Sequence, residues 1–257
     1  MVNPNLTCEW HDDILVVDWL KEQYPQRDEL WTFNEHAREV VTAELAIDII
    51  MKLPTMKPNK RITIIPVLNV WGRKQVDKGK KCLRKNENGV DTNRNYQIKD
   101  KHHYSKNSEE YEGEHPISEK ESKLVSSLLK DGVKRYINVH SGEFSMYMPY
   151  DSNTNVPPHA DKMELFLKTL SPLCPQCDSG SAAKVSSYKA YGTSVDYAIR
   201  MGVPEAYTFE IFGENTNHCE HMFNPKSYTS LLNTIRMWRR ILFTVAIDDR
   251  LSTAQLT

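Results

Sequence analysis

Leu30-Trp31-Thr32-Phe33-Asn34-Glu35-His36-Ala37-Arg38-Glu39-Val40-Val41 is the stretch on which the fold reading turns. Residues 30–33 form a short apolar strand candidate. Residues 40–53 follow as a helix whose Leu45, Ala46, Ile49 and Ile50 share one stripe, so His36 falls at a strand-to-helix turn. His36 and Glu39 stand about one helical turn apart, which lets an imidazole and a carboxylate point at a single ion.

Outward from this turn, strands and helices alternate, which implies an α/β domain with a central sheet. Residues 14–24 read as an amphipathic helix, and residues 61–70 as a buried, β-branched strand. Residues 72–108 are polar, rich in Lys and Asn, and read as one long irregular segment. Ser118 and Glu121 form a capping-box pattern opening a helix that buries Leu124, Val125, Leu128 and Leu129. Residues 136–139 are a strand that ends at His140, with residues 145–150 as a strand beside it. Helices follow over 160–170 and 194–201, the second closed by Gly202 in a left-handed cap. Residues 206–212 are again a strand, and Asn224-Pro225 opens a final helix with Leu231, Leu232, Ile235, Trp238 and Leu242 at helical spacing. No linker divides the chain, so residues 1–257 are read as one domain.

A catalytic zinc takes three protein ligands and keeps a fourth position open. His140, at a strand end on the rim of the sheet, is the candidate third ligand beside His36 and Glu39. Spacing alone equally fits a surface His–Glu pair and a hydrogen-bonded structural histidine. A rival site is Cys174-Pro175-Gln176-Cys177 with His218-Cys219-Glu220-His221. It could hold a structural zinc in a binding module, or it could be a disulfide, Cys174–Cys177 or one of these with Cys219.

A formal charge of −1, with 39% hydrophobic and 26% charged residues, gives no reason to expect nucleic acid or an anionic membrane as partner. No run of about 18 apolar residues is present, so no membrane span is expected. The polar N-terminus carries no secretory core, five cysteines leave the redox compartment open, and Asn5-Leu6-Thr7 is a glycosylation sequon.

Taken in order, the motifs resemble the zinc metallocarboxypeptidases of the A/B type. His36-Ala37-Arg38-Glu39 is similar to the family's first metal motif, and Cys82-Leu83-Arg84-Lys85 to the segment whose arginine polarises the scissile carbonyl. Gly89-Val90-Asp91-Thr92-Asn93-Arg94-Asn95-Tyr96 resembles the signature whose Asn-Arg pair grips the substrate's terminal carboxylate. Tyr111-x-Gly113 with Pro116-x-Ser118-Glu119-x-Glu121 is similar to the lead into a family helix. Val139-His140-Ser141 matches the strand end with the third ligand, and Thr208-Phe209-Glu210 the strand bearing the catalytic glutamate. Tyr188 ahead of Gly192-Thr193-Ser194-Val195-Asp196 resembles the mobile tyrosine and the specificity loop.

The resemblance implies a single domain with a mixed, mostly parallel sheet flanked by helices, one Zn2+, and peptide or protein C-termini as substrate for a monomer. Glu210 would be the general base and Arg84 the oxyanion stabiliser. Arg38, Asn93, Arg94, Ser141 and Tyr188 would bind substrate, and Val195 would read its last side chain, giving an apolar preference. A full-length product resembling the family would be secreted or lumenal, whereas the polar N-terminus taken literally argues for the cytosol. Residues 14–24 take the place of the family's opening helix, so the edge hairpin that should follow is expected to be missing, residues 1–30 being a shortened version. A homologue that binds C-termini without cutting is the remaining alternative; the presence of Glu210 argues against it.

Overall fold

The computed structural model describes residues 3–96, 102–186 and 188–248. Residues 97–101, part of the segment expected to be irregular, lie outside the described residues. The strands are β1 (Leu6–His11), β2 (Ile14–Trp19), β3 (Glu29–Phe33), β4 (Ile62–Ile65), β5 (Arg135–His140), β6 (Phe144–Met148), β7 (Asp178–Ser181) and β8 (Glu205–Ile211). The helices are α1 (Val40–Met56), α2 (Val70–Asp77), α3 (Lys120–Leu129), α4 (Ala160–Leu170), α5 (Ala182–Val185), α6 (Ser194–Arg200), α7 (Cys219–Phe223) and α8 (Tyr228–Ala246).

The strands form one mixed sheet in the order β1-β2-β4-β3-β5-β8-β6-β7. Its centre, β4-β3-β5-β8, runs parallel, while β1, β2 and β6 are antiparallel to their inner neighbours. Central strands buried on both faces need continuous apolar sequence, and Leu30, Trp31, Phe33, Ile62, Ile64, Ile65, Ile137 and Val139 are each fully buried. From β3 the chain runs through α1 to β4 on one side, and returns later to β5 on the other. Two neighbouring strands whose connections leave in opposite directions open a crevice at their C-terminal ends. The candidate site residues gather there.

The N-terminal expectation is corrected. Residues 14–24 do not form a helix, and the hairpin is not missing: β1 and β2 pair antiparallel from Leu6↔Trp19 to His11↔Ile14, turning at Asp12-Asp13 with Asp12 at φ 53°. A helix there would have exposed half of Ile14-Leu15-Val16-Val17. As a strand between β1 and β4 it buries Ile14, Val16, Val17 and Trp19 to 3% exposure or less. Elsewhere the elements lie where the pattern puts them, with local differences. The strand read over residues 61–70 stops at Ile65, because Asn69 accepts from Gly72 N at 2.8 Å and caps α2. Part of the segment read as irregular is therefore helical. The strand after β5 pairs with β8 and β7, not with β5.

The capping box does not form. Glu119 occupies the N-cap of α3 without a side-chain cap, Ser118 Oγ donates to Glu119, and Glu121 turns inward to accept from Asn86 Nδ2 at 3.1 Å. The second Glu121 oxygen is buried without a partner. At the far end of the sheet, Glu29, Lys60, Arg135, Glu205 and Asp248 form a buried ion network with contacts of 2.7 to 3.2 Å. Breaking one member of such a network leaves an uncompensated buried charge.

Burial raises the Glu121 carboxyl to about 7, against which its own backbone and Asn86 act only in part. The folded state thus holds this proton more tightly than the unfolded chain. The resulting stability is present below the ordinary glutamate range and is lost as pH rises to about 7. Glu121→Gln is expected to flatten this fall and to stabilise the protein at pH 8 by about 3 kcal/mol, read by denaturant titration across pH 4–8.

Candidate active site

Asn34, directly after β3, is the pin of the metal loop. It adopts φ 51°, and its Nδ2 donates to the carbonyls of His36 and Glu39 at 3.1 and 3.2 Å. Thr42 completes the turn, accepting from Asn34 N at 3.0 Å and donating to Glu39 O at 2.7 Å. Gly72 in α2 backs the loop; a Cβ there would lie 2.6 Å from that of Ala37. His36 and Glu39 are consequently held by backbone bonds rather than by the helix alone.

His140 ends β5 and pairs in register with Glu210 of β8. His36 Nδ1 lies 2.7 Å from one Glu39 oxygen and His140 Nδ1 2.9 Å from the other, and the two Nδ1 atoms are 3.2 Å apart. The opposite ring nitrogens face outward to other groups: His36 Nε2 meets Asp91 Oδ1 at 3.1 Å, and His140 Nε2 has Asn93 Nδ2 at 3.3 Å and Glu35 Oε2 at 3.7 Å. At His36, the Asp91 carboxylate on Nε2 fixes the proton there and leaves the Nδ1 lone pair inward. Two imidazole nitrogens and a carboxylate thus converge, with ligand atoms all within 4.8 Å of one another. This donor set suits zinc. Among the described residues it is the one His/Cys/Asp/Glu group with such convergence.

The Cys/His rival is overturned. Cys174 is bonded to Cys177, and Cys82 to Cys219 over a separation of 137 residues, so no thiolate is left there for a metal. The second bridge joins the segment carrying Arg84 to α7, which ends in Phe223 at the cleft.

A cleft of about 250 Å³ opens over the triad. His36, Arg38, Glu39, Arg84, Asn93, Arg94, His140, Ser141, Tyr188 and Glu210 all line it, so the structure brings together every expected site residue except one. That one is Val195, 1% exposed within the hydrophobic core on α6 and absent from the cleft wall. Asp151 and Thr193 line the cleft on that side.

Asp91 binds two functional groups at once. Arg84 contacts Asp91 Oδ2 through Nε and Nη2 at 2.8 and 2.7 Å, while Oδ1 takes His36. Burial alone would raise the Asp91 carboxyl, but Arg84, His36 and Arg94 hold it well below the usual carboxylate range. Arg94 donates Nη2 to Glu110 at 2.7 Å and Nη1 to Asn93 O at 3.0 Å, and its buried Nε has no hydrogen-bond partner. Arg38 sits over the Phe223 ring at 4.2 Å and pairs with Glu109 at 3.0 Å. Ser141 differs from expectation: its hydroxyl is spent on Phe223 O at 2.8 Å and its N–H on Glu39 Oε2 at 3.2 Å, so it braces the ligand shell. Tyr188 is 61% exposed at the rim.

Glu210 stands across the cleft with Oε2 buried and unpartnered. Burial, with Glu39 and Glu143 adding to it, raises the carboxyl to about 8, although His140 and Arg84 oppose the shift. Asn34, Glu35 and Asp91 contact the triad residues and were passed over by motif reading. Asp91 lay inside a quoted motif, and its spacing to Arg94 was the available signal.

A family model described as zinc carboxypeptidase matches residues 18–237. Mast cell carboxypeptidase A of Mus musculus is 28% identical over 167 residues, 58% of this chain and 40% of that protein. Carboxypeptidase A4 of Mus musculus is 28% identical over 211 residues, 74% of this chain and 48% of that protein. The matched stretch thus spans less than half the length of these relatives. Carboxypeptidase A from Helicoverpa armigera superposes with a TM-score of 0.80 at 18% identity, covering 98% of this chain and 70% of that one. Bovine thrombin-activatable fibrinolysis inhibitor, in complex with tick carboxypeptidase inhibitor, gives 0.78 at 22% identity, covering 91% and 84%. At these identities the structural likeness speaks to the fold.

Asp91→Asn keeps the shape and removes the charge that orients His36. Zinc affinity, measured by competition with a chromogenic chelator, is expected to fall about 10- to 100-fold with the fold intact by circular dichroism.

Proposed function

Because the chain belongs to the zinc carboxypeptidase family, we propose that it hydrolyses the C-terminal peptide bond of peptides or proteins, with one zinc held by His36, Glu39 and His140. The observation that carries this reading is the placement of unlike charges around one cleft. The triad, Glu210, Arg84 and Arg94 all line it.

When bound, the ion supplies Lewis acidity, polarising the scissile carbonyl and acidifying water. The chain's own residues do the rest. Arg94 offers its unpartnered Nε to the substrate's terminal carboxylate, so a peptide with a free end is seated with its last bond over the triad. Arg84, held rigid by Asp91, donates to the carbonyl oxygen as negative charge develops on it, a donation typically worth about 3 kcal/mol. Glu210, a carboxylate made more basic by burial, takes the proton from the attacking water and delivers it to the departing amine. Arg38 and Tyr188 line the entrance and bind the flanking chain. The terminal clamp is what makes the action exopeptidic.

A peptide with a free C-terminus should lose its last residue, its C-terminal amide should remain intact, and chelation should abolish cleavage until zinc is restored. Glu210→Gln should keep stoichiometric zinc and lose about 10²- to 10⁴-fold in kcat. Equal cleavage of the free and amidated peptides would sink the proposal.

A further inference from the structure

Each arginine of the cleft already has a carboxylate partner, and the three partners differ in how easily they leave. Arg84 donates Nε and Nη2 to Asp91, which is fully buried and shared with His36. Arg38 donates to both oxygens of Glu109 at 3.1 and 3.0 Å. Arg94 donates Nη2 to Glu110 Oε1 at 2.7 Å. The Arg94 side chain is only 2% exposed, but that of Glu110 is 35% exposed. An ion pair with one solvated partner contributes little to stability, so Glu110 can exchange this contact for water at small cost.

The backbone beneath Glu110 does not share that freedom. Ser108 Oγ accepts from Glu110 N at 3.1 Å, and Ser108 O accepts from Tyr111 N at 3.3 Å. Tyr111 O in turn accepts from Asp91 N at 2.8 Å, while Glu109 on the other side is held by Arg38. The turn is thus tied down on both sides of Glu110, and the motion left to this residue is rotation of its side chain. A guanidinium grips a carboxylate with two parallel bonds along one edge, either Nε with Nη2 or Nη1 with Nη2. Both edges include Nη2, the atom that Glu110 uses. Nη1 is further committed to Asn93 O at 3.0 Å, and Nε is buried without a partner. A carboxylate that arrives at Nε therefore completes its second bond at the Glu110 contact. It brings a second negative charge to a group that carries one positive charge, and the two anions oppose each other.

Resting on the carboxypeptidase reading above, we propose that Glu110 is a built-in competitor for the substrate's terminal carboxylate: it occupies Arg94 in the free protein, gives way when a peptide end docks, and so sets the affinity for free C-termini. The binding-competent molecules are those in which Nη2 has been released, and apparent affinity is reduced by their fraction. The exchange replaces one carboxylate by another on the same guanidinium, so Arg94 keeps a countercharge throughout. Arg84 undergoes no such exchange, because Asp91 has no access to water and leaving it would strand a buried charge.

The test compares the zinc-loaded protein with Glu110→Gln, which keeps the length of the side chain and removes its charge. For peptides ending in Leu or Arg, KM should fall about 10-fold while kcat stays the same. A residue that only braces the turn would lower the melting temperature and leave KM unchanged or raised. Calorimetry with N-acetyl-Leu and N-acetyl-Arg gives a readout without turnover: the free acids should bind the variant about 10-fold more tightly, and their amides should bind both proteins alike. Glu110→Asp, one methylene shorter, should move KM in the same direction and decides the matter if the Gln variant does not fold. An unchanged or raised KM, or amides that gain as much as acids, overturns the proposal. Tighter binding of the acids by the variant with no cleavage by either protein sinks the hydrolase reading and leaves the competition standing. Free acids that bind neither protein overturn both the clamp and its competitor.

Discussion

One buried carboxylate, Asp91, holds the site in its working shape. One of its oxygens fixes the outward nitrogen of His36, and the other receives two bonds from Arg84. His36 and Arg84, the proposed metal ligand and oxyanion donor, one from the turn after β3 and one from the segment after α2, are therefore set by a single group. Its backbone is in turn pinned by Tyr111, whose carbonyl accepts from Asp91 N at 2.8 Å. A displacement of this loop would change Lewis acid and oxyanion donor together, and reaction geometry tolerates little such movement.

The sheet supplies the rest of the precision. Because β3, β5 and β8 are parallel neighbours, the turn after β3, His140 and Glu210 emerge at one rim without any long loop having to be ordered. The buried ion network lies at the opposite end of the same strands. Strands clamped at their origins and carrying chemistry at their ends place the stability and function of this fold at different poles, which allows the cleft to contain unsatisfied groups such as Arg94 Nε and Glu210 Oε2.

Periodic patterns and ordered motifs made the sheet core, α1, α4, α8 and the convergence of His36, Glu39 and His140 legible in the sequence. The failures have physical causes. Residues 14–19 carry a density of apolar side chains that fits either a helix or a two-sided strand, and the pairing with β4 that decides it is a tertiary fact. Ser118 and Glu121 have capping chemistry, but Glu121 is drawn inside by Asn86. The Cys82–Cys219 bridge joins residues 137 apart, a distance over which no local rule operates.

The same bridge also bears on how the protein must be made. Cys82 lies two positions before Arg84, its carbonyl accepts from Arg38 Nη1 at 3.4 Å, and its partner opens the short helix ending in Phe223. The bond thus straps together two lips of the cleft that share no strand. In a reducing compartment this strap does not close, so the oxidation history of a preparation becomes part of its active-site structure. Two batches of identical sequence then differ at the cleft, and thiol titration belongs beside metal analysis when they are compared.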